Sequence, residues 1–296
     1  MLDERTTTFL MVCEKMNYTR AAEALHITQP AVSRHIRFLE GYYDVKLFTM
    51  DGKKVCLTDE GRLLREALIK MDNDERSLKE KLRISSGGMI SLKLGVTLTV
   101  GEFMIADTVA QYKISNPGTS VCMKVSNTAE LLADLRKGDI HFAVLEGNYP
   151  KNEFDSVVFA DEPFICVAAP GHPAPAKISS IKDLTGYELV VRERGSGTRD
   201  ILENALAVSG FSIDDFADVI EIQNMNAIKN IVAAGCGMTF LYRAAAEDMI
   251  NAGRLRRIAV SDIDTTHEIS VIWNRDMLFS EDVAAIVKRF FCRSAS

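Results

Sequence analysis

No stretch of the 296 residues approaches the roughly 18 consecutive apolar residues that a membrane-crossing helix needs. The opening MLDERTTTFLMVCEK has neither the basic leader nor the apolar core of a secretory signal, so a cytoplasmic protein with no membrane contact is expected. Cysteine is sparse and scattered: Cys13, Cys56, Cys122, Cys166, Cys236 and Cys292 stand singly, with no CxxC pair and no histidine cluster beside them. That spacing argues against a zinc site and a disulfide framework, and no cofactor is called for. Nothing basic closely flanks Cys166 or Cys236, which argues against a redox pair. No Gly-x-Ser-x-Gly elbow occurs, and His141, His172 and His267 have no evident Ser or Cys partner. The glycine-rich run at 195–197 is followed by no Lys-Ser/Thr, which excludes a phosphate loop of the GxxxxGK type. Repeats and low-complexity tracts are missing as well. An ordinary composition remains, 47% apolar and 26% charged, long enough for two or three domains.

Excess positive charge is lacking too, yet its distribution is uneven. Residues 1–86 hold 15 basic against 14 acidic residues, a net of +1, while residues 87–296 hold 20 against 27, a net of −7. The first segment reads as helical over 3–40 with a break at His26-Ile27-Thr28. A hairpin follows, with strands Lys46–Phe48 and Lys54–Leu57 about an Asp51-Gly52 turn. Thr58 reads as the N-cap of a long helix to about Arg83, and Ser85-Ser86-Gly87-Gly88 as a joint. Beyond it, short strands (91–96, 120–125, 142–145, 164–168, 188–191, 219–222, 238–241, 269–273) alternate with helices (101–115, 128–137, 198–209, 226–234, 242–251, 280–291). Such alternation predicts parallel α/β sheets, here enough for two lobes like those of solute-binding proteins.

The sharpest local pattern is YTRAAEALHITQPAVSRHIRFLE, residues 18–40. Ala21, Ala22 and Leu25 face inward from one short helix, and small residues there let a second helix cross closely. Thr28 caps that second helix, and Pro30 is expected at its N1 position. Val32, Ile36 and Leu39 recur at helical spacing on the inner face. The outer face then offers Gln29, Ser33, Arg34 and Arg37: glutamine pairs with adenine, arginine with guanine, and serine with base or phosphate. This is a helix-turn-helix pattern. It resembles the LysR family of bacterial transcriptional regulators, matching AAxxLxxxQPAVSxxIxxLE at Ala21, Ala22, Leu25, Gln29 to Ser33, Ile36, Leu39 and Glu40. VKLFTMDGKKVCLTDEG is similar to the family's wing and its LT-x-x-G junction (Leu57, Thr58, Gly61), with Lys53 and Lys54 placed to meet phosphate. Met50 stands where the family usually has an arginine, which takes one backbone contact from the wing. The helix after Thr58 carries Leu64, Leu68, Met71, Glu75, Leu78 and Leu82 at alternating spacings of four and three, a heptad stripe. The resemblance implies that it makes a dimer, so that two heads meet successive major grooves.

In the second segment four strand ends are rich in small polar residues: Thr97-Leu98-Thr99, Ser126-Asn127-Thr128, Gly195-Ser196-Gly197-Thr198-Arg199, and Asn224-Met225-Asn226 before Lys229. Each also reads as a plain cap or turn. The third stands out, because two glycines let backbone approach a ligand and Arg199 can clamp one. RERGSGTR, SNTAEL…VLEG and AIKNIVAAGCGMTFL look most like the LysR branch that controls sulfur assimilation and carbon fixation, which implies a small anionic effector. By positional match the effector residues are Thr97, Thr99, Asn127, Thr128, Glu146, Ser196, Thr198 and Arg199; a carboxylate at Glu146 repels an anion unless a cation such as Arg199 faces it.

The expected layout is an all-α winged helix-turn-helix at 1–58, a linker and dimerisation helix with hinge at 59–88, and a two-lobed, periplasmic-binding-protein-like effector domain at 89–296. Lobe I spans about 89–162 and 268–296, and lobe II about 163–267. The expected DNA-reading residues are Thr28, Gln29, Pro30, Ser33, Arg34, Arg37, Lys53 and Lys54. Expected partners are double-stranded DNA, a small effector, further copies of the chain as a homodimer or homotetramer, and RNA polymerase as an additional candidate. A free solute-binding protein and an enzyme with a DNA-binding appendage are the competing readings; the helix-turn-helix opposes the first and the missing nucleophile elbow the second.

Overall fold

Three short helices open the chain, each ended by a residue in left-handed backbone. In the computed structural model, which describes residues 2–291 apart from 53, 264 and 279, these are α1 (Glu4–Lys15), α2 (Tyr18–Leu25) and α3 (Gln29–Tyr43). They end at Met16, His26 and Asp44, with φ of 46°, 54° and 52°. Left-handed backbone at a non-glycine residue costs about 1–2 kcal/mol, and a cap on the far side of the first two breaks helps offset it. Asn17 accepts from the Thr19 and Arg20 amides, and Thr28 from that of Ala31. The helical stretch expected over 3–40 thus has a second break, at Met16-Asn17, that no glycine or proline announces. Pro30 falls at the second helical position, after Gln29, and not at N1 as expected. Its missing N–H is still one of the four with no partner inside the helix.

Phe9, Val12, Ala21, Ala22, Val32, Ile36 and Leu39 close one core, joined by Leu47 and Leu68. The hairpin of β1 (Phe48–Asp51) and β2 (Lys54–Leu57) pairs Phe48 with Leu57 and Asp51 with Lys54. Its first strand starts two residues later than expected because side chains hold Lys46 and Leu47. Glu40 accepts from the Leu47 amide at 3.0 Å and from the Lys46 ammonium at 2.8 Å. Thr58 caps α4 (Asp59–Ser85) by accepting from the Gly61 amide at 2.9 Å, and its hydroxyl lies 2.6 Å from the Lys46 carbonyl, to which it donates. Only glycine fits at 61, since a Cβ there lies 2.2 Å from the Leu47 carbonyl oxygen. The heptad stripe of α4 divides: Leu64 and Leu68 pack on the core, whereas Met71, Leu78 and Leu82 are 56%, 43% and 61% exposed.

The chain forms two compact units whose main boundary falls between Gly88 and Met89. In the second, β3 (Ile90–Val96), α5 (Leu98–Phe103), α6 (Ala106–Ser115), β4 (Thr119–Val125), α7 (Thr128–Lys137) and β5 (Phe142–Leu145) lead into the long β6 (Phe154–Ala168). Then come β7 (Lys177–Ile178), β8 (Glu188–Val191), α8 (Gly197–Val208), β9 (Asp218–Glu221), α9 (Met225–Ala233), β10 (Met238–Tyr242) and α10 (Arg243–Asn251). β11 (Arg256–Val260), β12 (Thr265–Asn274) and α11 (Ser280–Phe291) complete it. The strand order is β4-β3-β5-β12-β6-β10-β8-β9, with β11 beside β6 and β7.

Two lobes share β6, whose first part pairs with β12 and whose last residues, Phe164–Ala168, pair with β10. The parallel sheet expected from the alternation is found within each lobe (β4-β3-β5 and β10-β8-β9), but β6 and β12 run antiparallel to their neighbours. The first part of β6, FDSVVFADEP, escapes periodicity because it is half-exposed and acidic. The region expected as one helix over 101–115 is two, α5 and α6, pivoting on the fully buried Ile105.

Candidate functional site

On the first unit, the inward face of α3 buries Val32, Ile36 and Leu39, so the opposite face must meet solvent. Thr28, Gln29, Pro30, Arg34 and Arg37 are exposed and Ser33 is half-buried. The Gln29 amide donates to the Ser33 hydroxyl at 3.0 Å, which lines up both polar groups along one stripe. Arg34 and Arg37 form no ion pair among the described residues, so their guanidinium groups stay available to an outside acceptor. A shallow groove beside them is lined by Gln29, Ser33, Arg37, Lys46, Thr49 and Met50, joining α3 to the hairpin. Lys54 is exposed next to the hairpin turn, and Lys53 lies outside the described residues. Exposed Met50 leaves the wing no cation at that position.

On the second unit, α5, α7 and α8 all begin at the carboxyl ends of strands, where an α/β sheet places its ligands. These helix starts and the end of β5 bring together Thr97, Thr99, Thr128, Glu146, Ser196 and Thr198, none more than 6% exposed. Thr97 donates to one oxygen of Glu146, and Thr198 donates to the other at 3.2 Å. The Thr99 and Thr198 hydroxyls lie 3.4 Å apart. Gly197 makes this meeting physical: a Cβ on it lies 2.7 Å from the Glu146 carbonyl oxygen and 3.2 Å from the Thr128 hydroxyl. Ser196 makes no side-chain cap bond, so the first amides of α8 are not capped by it.

Two hydroxyls at or near this cluster, those of Thr128 and Tyr242, are buried without a hydrogen-bond partner among the described residues. Orphaned buried hydroxyls cost about 1–3 kcal/mol each and call for an acceptor or donor from outside the chain. Burial pushes the Glu146 carboxyl above the usual carboxylate range, against the opposing pull of the Thr97 and Thr198 hydrogen bonds and of the Arg192 charge. Burial likewise pushes the Tyr242 phenol up, aided by the charges of Glu146 and Glu162.

The cation nearest in effect to Glu146 is Arg192, not Arg199. Arg192 is itself forked onto Glu193 at 2.8 and 3.0 Å. Arg199 lies in the same turn of α8, yet it spends Nε on Glu203 (2.7 Å) and Nη1 on Glu221 (2.5 Å) and on the Arg192 carbonyl (2.9 Å). It ties the 192–196 turn to β9. Asn127 is a cap, accepting from the Glu130 amide at 2.9 Å. The Asn224–Asn226 end meets the last turn of α5: Asn224 caps α9, Asn226 donates to Glu102, and Lys229 stacks 4.2 Å over the Phe103 ring. Tyr242 and Arg192 were not signalled by the sequence. The expected strand stops at 241 and leaves Tyr242 as the first residue of a helix, and Arg192 opens the RERGSGTR motif without being given a role of its own.

The comparisons with known proteins agree with this division. Residues 4–62 match the model of the bacterial regulatory helix-turn-helix protein, lysR family, and residues 87–291 that of the LysR substrate binding domain. The HTH-type transcriptional regulator CysL of Bacillus subtilis is 30% identical over 82% of this chain and 82% of its own length. A probable RuBisCO transcriptional regulator of Cyanophora paradoxa is 25% identical over 90% of this chain and 83% of its own. These relatives match the sulfur and carbon-fixation branch that the motifs resemble. Among solved structures, the CcmR regulatory domain of Synechocystis in complex with 2-PG is similar in fold, with a TM-score of 0.61 at 20% identity, covering 68% of this chain and 95% of that one. An N-terminal reading head and a C-terminal two-lobed domain, each matched by its own family model, place the chain in the LysR family of DNA-binding transcriptional regulators, which are not enzymes.

Proposed function

We propose that this regulator senses a small anion, either a sulfite-like oxyanion or a small organic or phosphorylated acid, in the cleft between its two lobes, and that occupancy alters DNA binding or activation. One observation carries the reading: buried hydroxyls from one lobe (Thr97, Thr99, Thr128) meet the start of α8 from the other (Ser196, Thr198), with two hydroxyls unsatisfied. A ligand that touches both lobes favours the closed form by its differential affinity, and that difference is what reaches the DNA-binding head. In this reading Asn127 and Arg199 shape the site through its backbone. Residues 1–58 read DNA through Thr28, Gln29, Pro30, Ser33, Arg34, Arg37 and the Lys53-Lys54 wing tip. Residues 59–88 join copies of the chain, and 89–296 sense. Melting the full chain against a panel of small anions tests it. Those that fit raise the melting temperature of wild type, because ligand bound only to the native state adds stability, and Thr128→Val with Thr198→Val abolishes the shift. A panel that leaves wild type unmoved refutes an anionic effector.

A further inference from the structure

Glu146 poses a problem of charge that the proposed anion site must solve. Its side chain is 1% exposed, both oxygens accept from threonine hydroxyls, and no ion pair reaches it among the described residues. A buried carboxylate without a cation is costly, and a bound anion beside it adds like-charge repulsion. Its hydrogen-bonding and close neighbours come from three helix starts. From the start of α5 comes the Thr97 hydroxyl; from α8, the Thr198 hydroxyl and the close backbone of Gly197; from α7, the Thr128 hydroxyl. Within electrostatic reach lie Arg192 beyond β8, already forked onto Glu193, and Tyr242 at the end of β10, whose proton is held by burial and by the charges of Glu146 and Glu162; the buried Lys229 sits over the Phe103 ring, and the charges acting on it are those of Asp248 and Glu102. His267 lies against the Tyr242 ring, 6.4 Å between centroids, and burial lowers its tendency to charge. Arg199 is bound to Glu203 and Glu221. No uncommitted cation among these balances two negative charges.

Resting on the anion reading above, we infer that Glu146 and the bound oxyanion hold one proton between them, so the site takes an anion only with a proton that rides on the carboxyl or on the ligand. A protonated carboxyl keeps an acceptor for Thr97 or Thr198 and turns its O–H to the anion; a carboxylate accepts the O–H of a ligand such as hydrogen phosphate. Sulfate carries no proton near neutral pH, so the one proton must be on Glu146, drawn from solvent wherever the carboxyl is ionised before binding. Hydrogen phosphate brings its own.

Calorimetric titration of the full chain with inorganic phosphate and with sulfate, from pH 6 to pH 10, tests this directly. In wild type the sulfate affinity weakens toward about tenfold per pH unit in the upper part of the range, the slope of one linked proton. Phosphate changes far less, so that above pH 8 it binds at least about tenfold tighter than sulfate. Glu146→Gln keeps the shape and offers an amide donor in place of the O–H; in it the sulfate affinity varies less than about threefold over the range and the gap between the ligands closes. Proton uptake on sulfate binding to wild type, read from titrations in two buffers of different ionisation enthalpy, checks the linkage without any variant. If wild type binds sulfate and phosphate alike, flat in pH and with no proton uptake, the shared proton is refuted while an anionic effector stands. If neither anion binds at any pH and a primary ammonium such as ethylammonium does, Glu146 is a counter-charge to a cation, and both readings fall.

Discussion

A methyl group on Gly61 lies 2.2 Å from one carbonyl oxygen, and a methyl group on Gly197 lies 2.7 Å from another. Neither glycine sits in left-handed backbone; both are small because a helix start meets a neighbouring chain segment there. At Gly61 the neighbour is the turn before the hairpin, held by Thr58 and Glu40. Gly61→Ala forces that contact apart and costs about 1–3 kcal/mol, the range for overpacking. The chain's one tryptophan, Trp273, lies in β12 of the second unit, so its fluorescence reports on that unit alone. The expected result is an earlier loss of helical circular dichroism on heating, with the tryptophan transition unmoved. Coincident, unshifted transitions would show that the Leu47 turn yields freely. Gly61 was legible as part of a junction motif. The partner of Gly197 was not, because Glu146 lies 51 positions earlier on another strand end.

At the scale of elements, α4 has more apolar surface than its own unit covers. It runs 27 residues, about 40 Å at the usual rise. Leu64 and Leu68 anchor its start, while Leu63, Met71, Leu78 and Leu82 stay 43–70% exposed on a helix otherwise rich in charge. Side chains of that size gain about 1.5–3 kcal/mol each on full burial, and in the proposed assembly a second copy of the chain supplies it. Replacing Leu78 and Leu82 together by lysine is expected to lower the mass in light scattering to that of a smaller assembly, with helical content kept, since neither side chain packs on the core. An unchanged mass would place the interface elsewhere. The heptad spacing was readable in the letters. The point at which the seam leaves its own core was not, because that depends on where the core of α1 to α3 stops.

For the whole molecule, the imbalance of charge, +1 in the first 86 residues against −7 in the rest, separates the part that meets phosphate from the part that senses. In the proposed reading the two tasks rest on different units, so mutation is expected to separate them. Arg34→Ala removes one uncommitted guanidinium from the exposed stripe of α3. On promoter fragments selected by the wild-type chain it is expected to lose specific affinity by roughly 1–3 kcal/mol, about 5- to 150-fold. The anion-induced rise in melting temperature is expected to stay as in wild type. Full specific affinity in a gel-shift assay would move base reading off Arg34.

Local chemistry alone was enough for the reading helix. Thr28, Pro30, the alanine pair and the Val32-Ile36-Leu39 stripe are neighbours in sequence, and short-range caps and periodicity act between neighbours. The same holds for β5, β8 and β10, whose apolar runs are buried on both faces. Tertiary packing decided the rest. Of the crossing strands β6 and β12 only the buried ends, 164–168 and 269–273, were legible, because their other parts are half-exposed and lack a clean pattern, and the threonine cluster assembles from turns some 100 positions apart. The commitment of Arg199 to Glu221, and the lack of an ion pair to Glu146 among the described residues, follow from which strand ends the sheet order sets side by side; no spacing along the chain encodes that order.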